Sequence, residues 1–152
     1  SQGNRRYLAF AKKADQDGLP QVAKLFRAAA EAETVHALNH LGVLKEAKTT
    51  MENLDAAISG ETFEFKKMYP EYIDVAKKER RNDAVWSFDY ANRVEQVHAG
   101  LFRKTLEALK SKTELPKTDY FVCSVCGDTV ENAAPDKCPI CGSPKTAFFK
   151  AP

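Results

Sequence analysis

No cysteine occurs before Cys123, and all four stand near the C-terminus in two Cys-x-x-Cys pairs. The long first part of the chain therefore has no disulfide framework. In a chain without a secretion signal such pairs favour a metal over a disulfide. No apolar run is long enough to cross a bilayer, and no basic-then-apolar start points to export. The expectation is a cytoplasmic protein with no membrane partner. Neither sign of charge is in excess: 23 Lys+Arg against 21 Asp+Glu gives a net +2, so nothing argues for nucleic acid or an acidic membrane surface. There is no low-complexity segment. A chain of 152 residues is long enough to bury a real core, as one ordinary domain or as a bundle with a small module attached.

Glu33-Thr-Val-His36 is the stretch around which the rest is organised. It lies in a long helical pattern whose seam reads Val22, Phe26, Ala29, Glu33, His36 and His40, flanked by Leu25, Val43 and Leu44. An acid and an imidazole thus occupy positions where the pattern calls for apolar groups. A carboxylate taken from water without a partner costs several kcal/mol or more, about the scale of a whole domain's stability. Spacing i, i+3 puts Glu33 and His36 on one helix face, where both reach one metal ion. Glu-x-x-His on facing helices is the ligand set of carboxylate-bridged di-iron bundles. The motif recurs: Glu95-Gln-Val-His98-Ala repeats Glu33-Thr-Val-His36-Ala at four of five positions. Glu61 and Glu64 form another i, i+3 acidic pair. Carboxylates and imidazoles in this combination suit iron, manganese or zinc. Taken alone, each motif also reads as a surface ion pair or a solvated acidic turn; their conjunction favours a binuclear site. His40, one turn beyond His36, reads as a structural or surface histidine. The runs Lys12-Lys13 and Lys77 to Arg81 read as solvated helix faces. Tyr7 and Tyr69 read either as hydrogen-bond donors beside the site or as core aromatics.

Four helices follow from the pattern. The first runs from 1 to about 16 and stops at Asp17-Gly18; the second starts at Pro20 and runs to about Ala47. Thr49 to Asn53 is the loop candidate. A third helix spans roughly 53 to 79, with a break near Ser59-Gly60 and a kink or fresh start at Pro70. Asn82-Asp83 reads as the N-cap of the fourth, about 83 to 111, with its seam at Trp86, Tyr90, Ala91, Glu95, His98, Phe102, Leu106 and Leu109. The expected fold is an all-α four-helix bundle over residues 1–111. A linker follows over 112–119, and a small metal-binding β/loop domain over 120–152. That last segment is too small to fold on apolar burial alone. Its Cys123-Ser-Val-Cys126-Gly127 and Cys138-Pro-Ile-Cys141-Gly142 turns give four thiolates for one tetrahedral ion. Spacing does not separate iron from zinc here.

The motifs Glu33-Thr-Val-His36, Gly60-Glu-Thr-Phe-Glu64, Met68-Tyr-Pro70, Glu95-Gln-Val-His98 and the two Cys-x-x-Cys-Gly turns occur in the order found in rubrerythrins. The chain resembles that family over nearly its whole length. The resemblance implies a ferritin-like bundle with a non-haem di-iron centre, then a rubredoxin-like domain with one tetracysteine iron. It implies reduction of hydrogen peroxide to water in oxidative-stress defence. The electrons come from NAD(P)H through a reductase and a rubredoxin-type carrier. Glu33 and Glu95 would bridge the irons, Glu61 and His98 would be terminal ligands, and Glu64 and His36 would exchange on one iron with redox state. Tyr7 and Tyr69 match tyrosines beside the cluster. Homodimers or higher homo-oligomers are implied, in which the tetracysteine iron of one subunit serves the di-iron site of another, some with helices swapped. The family has one more glutamate ligand immediately before the Ser-Gln that stands here as Ser1-Gln2. Residues 1–14 hold no acid to replace it, so either the native chain is longer or one metal position has fewer protein ligands. Two other functions fit the residues less well. One is iron oxidation and storage, which needs no electron-input module; the other is a structural protein with zinc at every site.

Overall fold

Asp17-Gly18 ends the first helix as its composition dictates. Gly18 takes φ +73°, a conformation that costs glycine little, and turns the chain so that the Leu19 N–H reaches the Ala14 carbonyl at 2.9 Å. Residues 2–152 are described in this computed structural model; Ser1, next to the position of the additional glutamate, lies outside the described residues. The chain forms two compact units, one ending at Lys48 and one beginning at Thr49.

The first unit is a helical hairpin of α1 (Gln2–Gln16) and α2 (Pro20–Leu44). Its core is made of small side chains: Ala11, Ala14 and Ala23 are buried with Phe26 packed against them. Alanine at the crossing lets two helix backbones approach closely. Phe26 carries the bulk, stacked on Tyr7 with ring centroids 6.3 Å apart and edge-on to Phe10 at 5.5 Å. The buried positions of α2 are Ala23 and Ala30. Of the expected seam, Phe26 packs on this core and Ala29 and Glu33 are half-buried, whereas Val22, His36 and His40 are exposed, because the closest face toward α1 is the alanine face. Leu25, Leu38 and Val43 are 70%, 63% and 81% exposed.

The second unit opens on α3 (Thr50–Phe63). Thr49 is not loop but its N-cap: the Glu52 N–H donates to Thr49 Oγ1 at 3.3 Å, and the Thr49 N–H donates to Glu52 Oε2 at 3.1 Å. The expected break at Ser59-Gly60 does not occur; Ser59 Oγ donates to the Asp55 carbonyl at 2.9 Å and the helix continues. Glu64–Met68 then form one π-helical turn before α4 (Tyr69–Lys78). There the Tyr69 N–H bonds to the Glu64 carbonyl, five residues back. This wider turn is how the helix accommodates Pro70, which has no N–H to give. Helix α5 (Asn82–Lys110) begins one residue earlier than expected. Asp83 does not cap it; its carboxylate takes two hydrogen bonds from Arg81, at 3.0 and 2.8 Å. Trp86, expected on the seam, is 69% exposed, whereas Val94, Ala99 and Leu106 are buried.

The remainder is a three-stranded antiparallel sheet of β1 (Tyr120–Cys123), β2 (Thr129–Glu131) and β3 (Phe148–Lys150), with β1 in the centre. It is fastened to α5 of the same chain. Arg93 donates to the carbonyls of Ile140 and Pro139 at 2.8 and 3.1 Å, and Lys104 Nζ reaches Glu131 at 2.7 Å. The expected class, helices followed by a small tetracysteine β module, is the observed one. No described helix is long and apolar enough to cross a membrane.

Candidate metal centres

The tetracysteine site is assembled locally. Gly127 and Gly142 take φ +87° and +76° and return their N–H groups to the carbonyls of Cys123 and Cys138, at 2.8 and 2.9 Å. Each return brings the two sulfurs of its pair to one side. All four Sγ atoms lie within 4.8 Å of one another, with Cys123 and Cys141 3.7 Å apart and Cys126 and Cys138 3.5 Å apart. Burial pushes the Cys126 and Cys138 thiols up. At Cys141 burial also works upward, but hydrogen bonds from the Ser143 hydroxyl and N–H and from the neighbouring thiols bring it down to about 7. Four soft donors converging on one point fit a single thiophilic cation, which would hold them as thiolates. Asp128 is buried, with Oδ2 3.5 Å from Cys138 Sγ.

The second cluster comes from distant chain segments. Helix α3 brings Glu61, and α5 brings Glu95 and His98; their ligand atoms lie within 4.8 Å of one another. His98 Nδ1 is 2.7 Å from Glu95 Oε2 and 3.8 Å from Glu61 Oε1. The three side chains are mostly buried, at 21%, 15% and 27% exposed in that order. Burial first, then the bond to Glu95 and its charge, push Glu61 up to about 7. Glu95 is held below the usual range chiefly by the hydrogen bond from His98, and His98 is raised by the same bond. Two acids and an imidazole thus share protons where water is scarce, the strain a cation relieves. Glu64 stands on the π turn and is raised by burial and then by the Glu95 charge. Tyr69 is raised by burial and then by the charges of Glu95, Glu64 and Glu61, so its phenol shares their surroundings. A cavity of about 490 Å³ opens beside Glu61, His98 and Thr129, walled by Leu54, Leu101 and Phe102.

In the first unit, Glu33 Oε1 stands 3.7 Å from His36 Nδ1, with His36 well exposed. Gly3 on α1 makes room for this acid: a Cβ there would lie 3.3 Å from Glu33 Oε2. Tyr7 packs in the aromatic trio with Phe10 and Phe26, and His40 is exposed. Sequence reasoning missed Asp128, Thr129 and Arg93. Thr129 Oγ1 lies 3.0 Å from His98 Nε2, a contact between segments far apart in sequence that no local pattern announces.

Residues 1–106 match the family model described as rubrerythrin, and residues 121–149 match that of the rubrerythrin rubredoxin-like domain. The chain belongs to the rubrerythrin family. It is 33% identical over 162 residues to rubrerythrin-2 of Clostridium acetobutylicum, covering 97% of this chain and 88% of that protein. It is also 33% identical over 158 residues to nigerythrin of Nitratidesulfovibrio vulgaris, covering 94% and 76%. Among solved structures it is similar to nigerythrin in a mixed-valence state: TM-score 0.62, 30% identity, 98% of this chain and 79% of that one. The rubrerythrin complement is a carboxylate–imidazole di-iron centre and a rubredoxin-like tetracysteine iron, and both donor sets are present here. As a rubrerythrin the chain is a di-iron protein of oxidative stress and of oxidoreductase type.

Proposed function

We propose that this rubrerythrin reduces hydrogen peroxide to water. The observation that carries the reading is the contact between the tetracysteine module and His98 of the carboxylate cluster. Thr129, three residues past Cys126, touches His98 within one compact unit. A storage bundle has no use for a thiolate-bearing module fastened beside its metal site. The reaction takes two electrons and two protons for each peroxide and yields two waters. When bound, the di-iron centre supplies both electrons to the O–O bond, and the tetracysteine iron passes them singly.

Glu61, Glu64, Glu95 and His98 would hold the metals, and Glu33 and His36 would be ligands of the same type. Glu33 and Glu95 would be ligands shared by the metals, and Glu64 and His36 would be the ligands that vary with redox state. The cavity beside Glu61 and His98 admits a molecule of peroxide's size, and its apolar wall limits water. Tyr69 and Tyr7 serve as phenol donors. Cys123, Cys126, Cys138 and Cys141 hold the relay iron. A rubredoxin-type carrier and its NAD(P)H-linked reductase supply electrons, in the cytoplasm. The module lying on His98 belongs to the same chain, so relay within one chain joins relay between subunits as a route. The exposed Leu25, Leu38 and Val43 on α2 support a homodimer or higher homo-oligomer in which helices are exchanged.

The test is peroxide consumption by iron-loaded protein with an electron carrier. Turnover yielding water, lost in Glu95→Ala while the tetracysteine absorption persists, is the expected result. Turnover unchanged in Glu95→Ala together with Glu33→Ala would exclude the bundle centre.

A further inference from the structure

His98 uses its two ring nitrogens on different parts of the molecule. Nδ1 faces Glu95 Oε2 at 2.7 Å and Glu61 Oε1 at 3.8 Å. Nε2 faces Thr129 Oγ1 at 3.0 Å. The role of the Thr129 hydroxyl is decided by its own proton, which it donates to the Gly127 carbonyl at 3.2 Å. With that proton committed, the oxygen turns a lone pair to the imidazole and accepts. The Gly127 carbonyl, which can only accept, also favours the protonated ring. Both partners on this side therefore call for an N–H at Nε2. When a metal ion displaces the Nδ1 proton that is shared with Glu95, the proton left on the ring is the one on Nε2, and Nδ1 is free to ligate.

We propose that Thr129 is a positioning residue that fixes the tautomer and ring orientation of His98 for a metal ion held with Glu61 and Glu95. The inference rests on the reading of that cluster as a metal centre. A ligating histidine whose other ring nitrogen is anchored binds more tightly, because the free ring no longer samples wrong tautomers and rotations. Here the anchor is supplied by the tetracysteine module. Thr129 opens β2 and pairs with Val122 on β1, one residue before Cys123. The same backbone that holds the thiolate turns thus holds the acceptor for His98. The module is a structural part of the carboxylate site as well as its electron source.

Thr129→Val keeps the shape and removes the acceptor; Thr129→Ser keeps the acceptor. In the full chain with its tetracysteine site filled, ferrous iron is titrated anaerobically into the bundle site against a competing chelator. Thr129→Val binds about tenfold more weakly, the low end of the 10–100-fold range for such partners, because the Gly127 carbonyl remains. Thr129→Ser restores wild-type affinity. Independently of any variant, nitrogen NMR of the zinc-loaded chain shows the His98 proton on Nε2. Equal affinity in Thr129→Val, no recovery in Thr129→Ser, or a proton on Nδ1 each overturns the proposal. A chain that takes up no metal at Glu61, Glu95 and His98 defeats the underlying reading as well; metal uptake indifferent to Thr129 defeats this inference alone.

Discussion

The two donor clusters of this chain are built by opposite means. The tetracysteine site is a local object: two short turns, each closed by a left-handed glycine, aim their sulfurs at one point. The cluster of Glu61, Glu95 and His98 exists only because α3 packs beside α5 and both carry polar groups on the faces that meet. The local site depends on a few dihedral angles. The other depends on a helix interface holding acids that, without a cation, resist one another. A site of the first kind survives damage elsewhere in the protein, and a site of the second kind does not.

The sharpest way to break this comparison is to remove one member of each cluster. Glu95→Ala takes away the group nearest His98, and peroxide turnover falls by at least about 100-fold, beyond the usual loss from an outer partner. The visible spectrum of the tetracysteine iron stays as it was. Cys126→Ser or Cys141→Ser does the reverse. Carrier-driven turnover drops to background, while protein whose bundle iron is reduced chemically still consumes one equivalent of peroxide. Steady-state and single-turnover assays on the same preparations check both.

Acidity gives a smaller, graded difference. Glu61 titrates near 7 in the folded chain against a reference of 4.5, so the folded state holds a proton that the unfolded state has released. Its contribution to metal-free stability is full below pH 4.5 and is lost as pH rises through about 7. Glu61→Gln flattens that loss in melting curves taken from pH 4.5 to 7.5. Metal uptake at this cluster releases the same proton and the one on His98 Nδ1, so its affinity climbs with pH until both are gone and then levels. The tetracysteine affinity keeps climbing, since burial holds Cys126 and Cys138 above the usual thiol range. The smallest effect belongs to the start of α3. Thr49→Ala removes the capping box and costs about 1 kcal/mol in denaturant unfolding, while the tetracysteine spectrum is unaltered.

What could be read from sequence follows the same division. The Cys-x-x-Cys-Gly turns, the Gly18 stop and the Pro20 start were legible because each is a local rule carried by one or two residues. The Glu-x-x-His repeats were legible because periodicity puts their members on one helix face. The break at Ser59-Gly60 is absent: Ser59 Oγ donates to the Asp55 carbonyl and the helix runs on to Phe63. Pro70 reads as a kink or a fresh start, and the chain does begin a new α-helix at Tyr69, after a π turn over Glu64–Met68 that the local rule does not announce. Thr49 reads as loop by its own residue type, and it becomes an N-cap only together with Glu52 three residues on. Trp86 fitted the seam by period but stands on the exposed side, where packing rather than period decides. Thr129 and Asp128 left no signal at all: their meaning comes from His98 and Cys138, which only the fold brings near.

The central claim is that the two clusters work as one redox unit on peroxide. Fully reduced, iron-loaded protein mixed anaerobically with one equivalent of hydrogen peroxide in a stopped-flow instrument tests it most directly, read at the thiolate-to-iron absorption. The account predicts that peroxide is consumed and that the tetracysteine absorption of the oxidised form then appears, at a rate independent of protein concentration if relay runs within one chain or a stable oligomer. Peroxide left unconsumed, or consumed while the tetracysteine iron stays reduced, would contradict it.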